Sequence, residues 1–118
     1  MMRDHTKYDV WQRAIAVATA VHRASESINA RAVPGLRSQL RRAAASIPAN
    51  IAEGAAQQSD AQFARFVAIA LASLAEVENH LAFARSVGAM SSEQLAPLTR
   101  ELTQIRRMAS ALHRSLTQ

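Results

Sequence analysis

Arg100, Arg107 and Arg114 recur at intervals of seven residues. On an α-helix this spacing puts their guanidinium groups within about 40° of one another, at successive rises of about 10 Å. Such a row can track phosphates, because each guanidinium neutralises one charge and releases its condensed counterions. The plainer alternative is a solvated outer face. Arg106 and His113 flank the row, and Arg37, Arg41 and Arg42 form a second cluster open to the same two readings. Thirteen of the fourteen basic residues are arginine; four of them, with no acid, lie in residues 31–47, and four more, with a single acid, in residues 100–118. Most of the net charge of +5 therefore comes from two short segments, an asymmetry that points to an anionic partner such as RNA or DNA. The single tyrosine, the single tryptophan and the three phenylalanines are interleaved with neither cluster. Base stacking is not expected, and binding should be directed at the backbone with weak sequence preference.

Two other constellations carry chemistry of a different kind. Ser46, Asn50 and Glu53 lie on one polar stripe beside an apolar face, where polar groups need partners, and they read as a hydrogen-bond network between helices or subunits, with a ligand site as the alternative. Glu76, Glu78 and His80 resemble a metal set only superficially. The bundle di-iron pattern needs Glu and His three apart, and the residue three before His80 is Val77, so no metal and no cofactor is expected. The absence of cysteine excludes disulfides, thiol catalysis and thiolate metal sites, and it fits a reducing cytoplasm.

The elements that must position these residues follow from the apolar period. Val10, Ala14, Val17, Val21, Ala24 and Ile28 step by four and three, predicting a helix over about 7–30. Pro34-Gly35 breaks the pattern and opens a second helix over about 35–57. There Leu36, Leu40, Ala44, Ile47 and Ile51 form the core stripe, and Ala45, Ala49, Ala52 and Ala56 form a small-residue seam. Pro48 lies inside this helix and predicts a kink, since it removes a donor and crowds the Ala44 carbonyl. A Ser59-x-x-Gln62 capping box starts a third helix, about 60–87, with the stripe Phe63, Val67, Ala70, Leu74, Val77, Leu81 and Ala84, ended by Gly88. Ser91-x-x-Gln94 starts a fourth, about 92–117, with Leu95, Leu98, Leu102, Ile105, Ala109, Leu112 and Leu116.

Long helices joined by short turns predict an all-α, antiparallel up-down four-helix bundle in a single domain spanning 1–118. The middle of the third helix, Phe66 to Ala75, is uncharged all the way round, and a four-helix subunit buries such a helix poorly. With the alanine seam, this predicts self-association through Ala45, Ala49 and Ala72. The same run is about half the length of a membrane span. No signal-peptide pattern precedes it, so no membrane and a cytoplasmic location are expected.

The run Ser38-Gln39-Leu40-Arg41-Arg42-Ala43-Ala44, followed by Ser46-Ile47-Pro48-Ala49-Asn50-Ile51-Ala52-Glu53-Gly54, resembles the 23S rRNA-intervening-sequence protein family, also called the four helix bundle protein family. Val10-Trp11-Gln12, Phe63, Phe66, Ile69-Ala70 and Ser73-Leu74-Ala75-Glu76 extend the resemblance over about residues 8–88. It implies a four-helix subunit. The related accessory proteins of diversity-generating retroelements imply in addition a homopentameric ring whose basic surface binds nucleic acid and a protein partner. Where relatives often carry basic residues after the Ala-Glu-Gly, this chain has Ala55-Ala56-Gln57-Gln58, so the second turn carries no basic contact of its own.

Arg107 followed by five residues and His113 resembles the arginine–histidine pair of helical ribonucleases of the HEPN type. That resemblance implies metal-free cleavage, with His113 moving the proton of a ribose 2′-hydroxyl and Arg107 stabilising the phosphate. The pattern is short and common in arginine-rich helices, and no enzyme is expected. The leading expectation is a non-catalytic homo-oligomer that binds nucleic acid through Arg37, Arg41, Arg42, Arg100, Arg106, Arg107 and Arg114, or scaffolds a nucleoprotein. A protein–protein interaction module without nucleic-acid affinity is the alternative, and the ribonuclease comes third.

Overall fold

Serine caps set the start of two of the four helices in the computed structural model, which describes residues 3–118. The Ser59 hydroxyl accepts from the Gln62 amide at 3.1 Å and opens the long helix Asp60–Ser86. Ser91 does the same for Ser92–Thr117, and here Gln94 also reaches back to the Ser91 amide at 2.8 Å, completing the box. With Asp9–Ala24 and Leu36–Ala55 these helices are α1 to α4 in chain order: α1 Asp9–Ala24, α2 Leu36–Ala55, α3 Asp60–Ser86 and α4 Ser92–Thr117. No strand occurs among the described residues.

Around the bundle, α1 packs on α2 and α4, and α3 packs on α2 and α4, while the diagonal pairs do not meet. This is the cyclic neighbour pattern of an up-down bundle, 48 × 22 × 19 Å in extent. The apolar stripes meet along its axis. Val10, Ala14, Val17 and Val21 face Leu40, Ala44, Ile47 and Ile51, closed from the other side by Phe63, Val67, Leu74, Val77, Leu102 and Ile105, all buried. The core thins toward the end of α4, where Leu112 and Leu116 are half-buried.

The first helix stops earlier than its apolar period predicts. After Ala24 the chain tightens into a 3-10 turn, Ser25–Ser27, because local serine bonds compete with the helical ladder: the Ser25 hydroxyl donates to the His22 carbonyl at 2.8 Å and that of Ser27 to the Ala24 carbonyl at 3.0 Å. The Asn29 side chain then accepts from the amides of Arg31 and Ala32. Ile28 remains fully buried, so its place in the apolar sequence is kept although the helix has ended. α2 stays helical through buried Pro48. At the end of α3, Gly88 takes φ of 75° and the Ala89 amide bonds back to the Ala84 carbonyl at 2.8 Å, a left-handed cap that favours glycine.

One glycine is required by packing rather than by a turn. A Cβ at Gly54 would lie 2.7 Å from Phe63 Cδ1 and 2.9 Å from Phe66 Cβ, so α2 and α3 approach closely only because this position lacks a side chain. Phe63 in turn receives Tyr8 edge-on, with centroids 5.7 Å apart, and the Arg3 guanidinium over its face at 5.1 Å. Arg3 also pairs with Asp60 at the start of α3.

By length and composition α3 could cross a membrane, a test that the core helices of globular proteins also pass. In the bundle its Phe63-to-Ala84 stripe is buried in the common core, and its opposite side leaves Ile69 at 41% and Phe83 at 49% exposure.

Replacing Gly54 with Ala tests the close approach. Overpacking typically costs about 1–3 kcal/mol, which outweighs the gain of roughly 1 kcal/mol in helix propensity. Thermal melts should show a lower midpoint for Gly54→Ala than for the parent; an equal or higher midpoint would mean that Phe63 moves aside freely.

Candidate nucleic-acid interface

α4 turns its core stripe, Leu98, Leu102, Ile105 and Ala109, inward, and at 100° per residue Arg100, Arg107 and Arg114 fall on the side directly opposite. All three are exposed, and none makes an ion pair or side-chain hydrogen bond among the described residues. Of the two acids on α4, Glu93 lies seven residues before Arg100 on the same side of the helix, and the other is turned away. Glu101 reaches Arg13 of α1 at 3.5 Å, and Glu78 of α3 is drawn to Arg106. Arg106 is thus half-buried and tied to its neighbour helix, so it belongs to the α3–α4 contact and not to the free row.

The second basic cluster divides in the same way. Arg41 donates through Nε to the buried Ser25 hydroxyl at 2.7 Å, and through Nη2 to the His22 carbonyl at 3.0 Å and to Glu26 at 2.7 Å. It therefore satisfies the carbonyl end of α1 from α2. The Glu26 carboxyl is held below its ordinary range, first by the hydrogen bond from Arg41 and then by its charge. Arg37 donates to the Ile28 carbonyl, while its buried Nε has no partner. Both arginines anchor the loop between α1 and α2. Of the three, Arg42 alone is exposed, and it makes no such bond.

The polar stripe of α2 is brought together in part. Ser46 and Ser73 share a hydrogen bond of 2.7 Å between their hydroxyls, and Asn50 Nδ2 donates to the Ser46 hydroxyl at 3.0 Å and to its carbonyl at 2.9 Å. This network links α2 to α3. Glu53 stands outside it, exposed, its carboxylate making no hydrogen bond among the described residues while its backbone carbonyl accepts from Ala56 and Gln57. Ser73 was missing from the sequence-based set because it sits in an otherwise uncharged apolar run; its place on the α2-facing side of α3 was the available signal.

On the opposite flank, Ala45 and Ala49 are exposed, and with Trp11, Ile15, Pro48 and Ala52 they line an open groove of about 620 Å³ between α1 and α2. His5 closes one end, edge-on to Trp11 at 4.9 Å. Ala72 lies on the outer side of α3, also exposed. The three small residues expected at an oligomer contact thus occupy two separate surfaces.

His80 pairs with Glu76 at 3.2 Å, and no three His, Asp or Glu side chains converge on one point among the described residues. Arg107 and His113 are not hydrogen-bonded to each other; six residues put them roughly 120° apart around α4, one exposed and the other half-buried.

If Arg41 is structural and Arg42 is not, their variants should part in stability. Arg41→Gln removes bonds to a buried hydroxyl and a helix-end carbonyl and should cost about 1–3 kcal/mol, with little added by the exposed Glu26 pair. Arg42→Gln should stay within about 0.5 kcal/mol of the parent. Urea titrations of the two variants give the comparison, and equal midpoints would contradict it.

A solved structure of similar shape is that of a protein of unknown function from the S23 ribosomal protein family of Bacteroides thetaiotaomicron VPI-5482, with a TM-score of 0.81 and 24% identity over 88% of this chain and 97% of that one. At that identity the likeness concerns the fold. No curated protein matches. The family model of the 23S rRNA-intervening sequence protein matches residues 6–111, from the turn before α1 into the last turns of α4 and well past the central motif of α2. The chain belongs to the 23S rRNA-intervening sequence protein family.

Proposed function

We propose that this protein is a non-catalytic, cytoplasmic homo-oligomer that binds nucleic acid through the outer face of α4 and serves as a nucleoprotein scaffold. The observation that carries this reading is the row Arg100, Arg107 and Arg114, exposed and unpaired while Arg37, Arg41 and Arg106 are engaged inside the subunit. Three unpaired guanidinium groups in line on a rigid helix contact phosphates without first breaking an internal bond. The family's name, which connects it with 23S rRNA, agrees with an RNA-linked role.

Oligomer formation is supported by the apolar surface that the subunit leaves in water. Ile15 in the α1–α2 groove is 42% exposed, and Ile69 and Phe83 on α3 are exposed to a similar degree. Covering such surface is favourable by roughly 25 cal/mol per Å². Five subunits is the number that the resemblance to the retroelement accessory proteins implies. Repetition of a weak three-arginine site around an oligomer would raise its avidity without any new contact. The groove equally favours a second reading, a protein–protein interaction module, in which it receives a helix of another protein and nucleic acid plays no part.

Two measurements check these readings. Sedimentation at micromolar concentration should give a mass above one subunit, reduced toward a monomer in Ala49→Glu or Ala72→Glu; a monomeric parent would remove the oligomer from the proposal. Replacing Arg100, Arg107 and Arg114 together with Gln should weaken RNA binding and lower the slope of log K against log salt by up to about 3, since each phosphate contact contributes nearly one unit. Unchanged affinity and slope would favour the interaction module.

A further inference from the structure

We infer that the α4 row is built for a nucleic-acid duplex rather than a single strand, an inference that rests on the proposed phosphate-binding role of the same three arginines. The first argument is charge density. From Arg100 to Arg114 the row extends about 21 Å. Over that length a duplex presents about 12 phosphates, at one per roughly 1.7 Å of axis, and a stacked single strand about half as many. A row of fixed length therefore meets about twice the charge on a duplex.

Rigidity is the second argument. The row lies on a continuous helix, Ser92–Thr117, held in the core as far as Ala109 by Leu98, Leu102, Ile105 and Ala109 and beyond it by the half-buried Leu112 and Leu116. It cannot bend to follow a flexible chain. A single strand would have to be ordered along it, at a conformational cost that a preformed duplex does not carry.

Third, the surface offers little to an unpaired base. Affinity for single strands comes largely from bases stacked on aromatic side chains, and α4 carries no Phe, Tyr or Trp, its one ring being the half-buried His113. Phe63 is buried under Tyr8, Trp11 lines the α1–α2 groove with His5, and Phe83 belongs to α3. Beside the arginines on the outer side of α4 stand Thr103, Gln104 and Ala111, and no acid lies between Arg100 and Arg114 on that side. Such a surface recognises the phosphates and leaves the bases paired.

Fluorescence anisotropy with a labelled 20-base-pair RNA duplex, the DNA duplex of the same sequence and the corresponding single-stranded RNA, each titrated with the full chain between 50 and 200 mM salt, tests the inference. Both duplexes should bind several-fold more tightly than the single strand. With three contacts, the duplex salt slope should be near 2.7 and the single-strand slope near 2.1. In Arg100→Gln/Arg107→Gln/Arg114→Gln, whose folding is checked by circular dichroism, the duplex preference should vanish. Single-stranded RNA bound as tightly as the duplexes, or a preference that survives in the triple variant, would overturn the duplex assignment and leave the phosphate-binding role intact. No binding of any of the three probes at the lowest salt would overturn that role itself.

Discussion

The close approach of α2 to α3 at Gly54 is the contact on which the rest of this bundle depends. Without a side chain at Gly54, the ring of Phe63 sits close against α2, and there it becomes the platform for Tyr8 and Arg3. The segment before α1 is thereby pinned to the start of α3, with Arg3 bonding also to the carbonyls of Ala55 and Gln57 at the α2–α3 turn. Farther along the same interface Ser46, Asn50 and Ser73 exchange hydrogen bonds. A half-buried polar cluster of this kind fixes how the two helices slide past each other, because a shift along the axis would leave its donors unpaired.

A second constraint governs the charges. Arginine dominates the basic residues, and those that lie between helices are engaged inside the subunit. Arg41 satisfies the end of α1, Arg37 the carbonyl of Ile28, Arg3 the turn before α3, and Arg106 the carboxylate of Glu78. Guanidinium suits this work because several donors in one plane can bond a carbonyl, a hydroxyl and a carboxylate at once. The remainder on α4, Arg100, Arg107 and Arg114, differ from these in making no side-chain bond among the described residues, and Glu101 and Glu78 are bound to other partners. Between Arg100 and Arg114 their field is not cancelled by an acid on the same side of the helix.

Much of the fold could be read from the apolar period, because burial decides it. The stripes of α1 to α4 predicted from spacing are the residues that form the core, and the serine caps of α3 and α4 lie where the sequence places them. The end of α1 was not legible. Ile28 keeps the period of a helix that has already stopped at Ala24, since a residue can be buried from a turn as well as from a helix, and only the serine bonds at 25 and 27 mark the change. For the candidate site, the exposure of the α4 row was legible and the engagement of the other residues was not. Sequence position alone grouped Arg37 and Arg41 with Arg42, and Glu53 with Ser46 and Asn50. Which guanidinium meets a helix-end carbonyl, and which carboxylate points to water, depends on the neighbouring helix, and that information is not in the spacing along one helix.

The surfaces left over are separated in a way that bears on function. Around the bundle α4 stands diagonally across from α2, which carries the exposed alanines of the α1–α2 groove, while the exposed Ile69, Ala72 and Phe83 lie on α3. The outer crest of α4 shares no residue with either apolar surface. In the proposed assembly, subunits that joined through the groove and through α3 would leave each α4 crest open to solvent, so self-association and phosphate binding would not compete for the same side chains. Because the two apolar surfaces differ, a contact made between them would be head-to-tail, and a head-to-tail contact either closes into a ring or runs on as a filament. In a ring, the arginine rows would be held at fixed angles to one another, and the affinity gained would depend on whether one stretch of nucleic acid can span two of them.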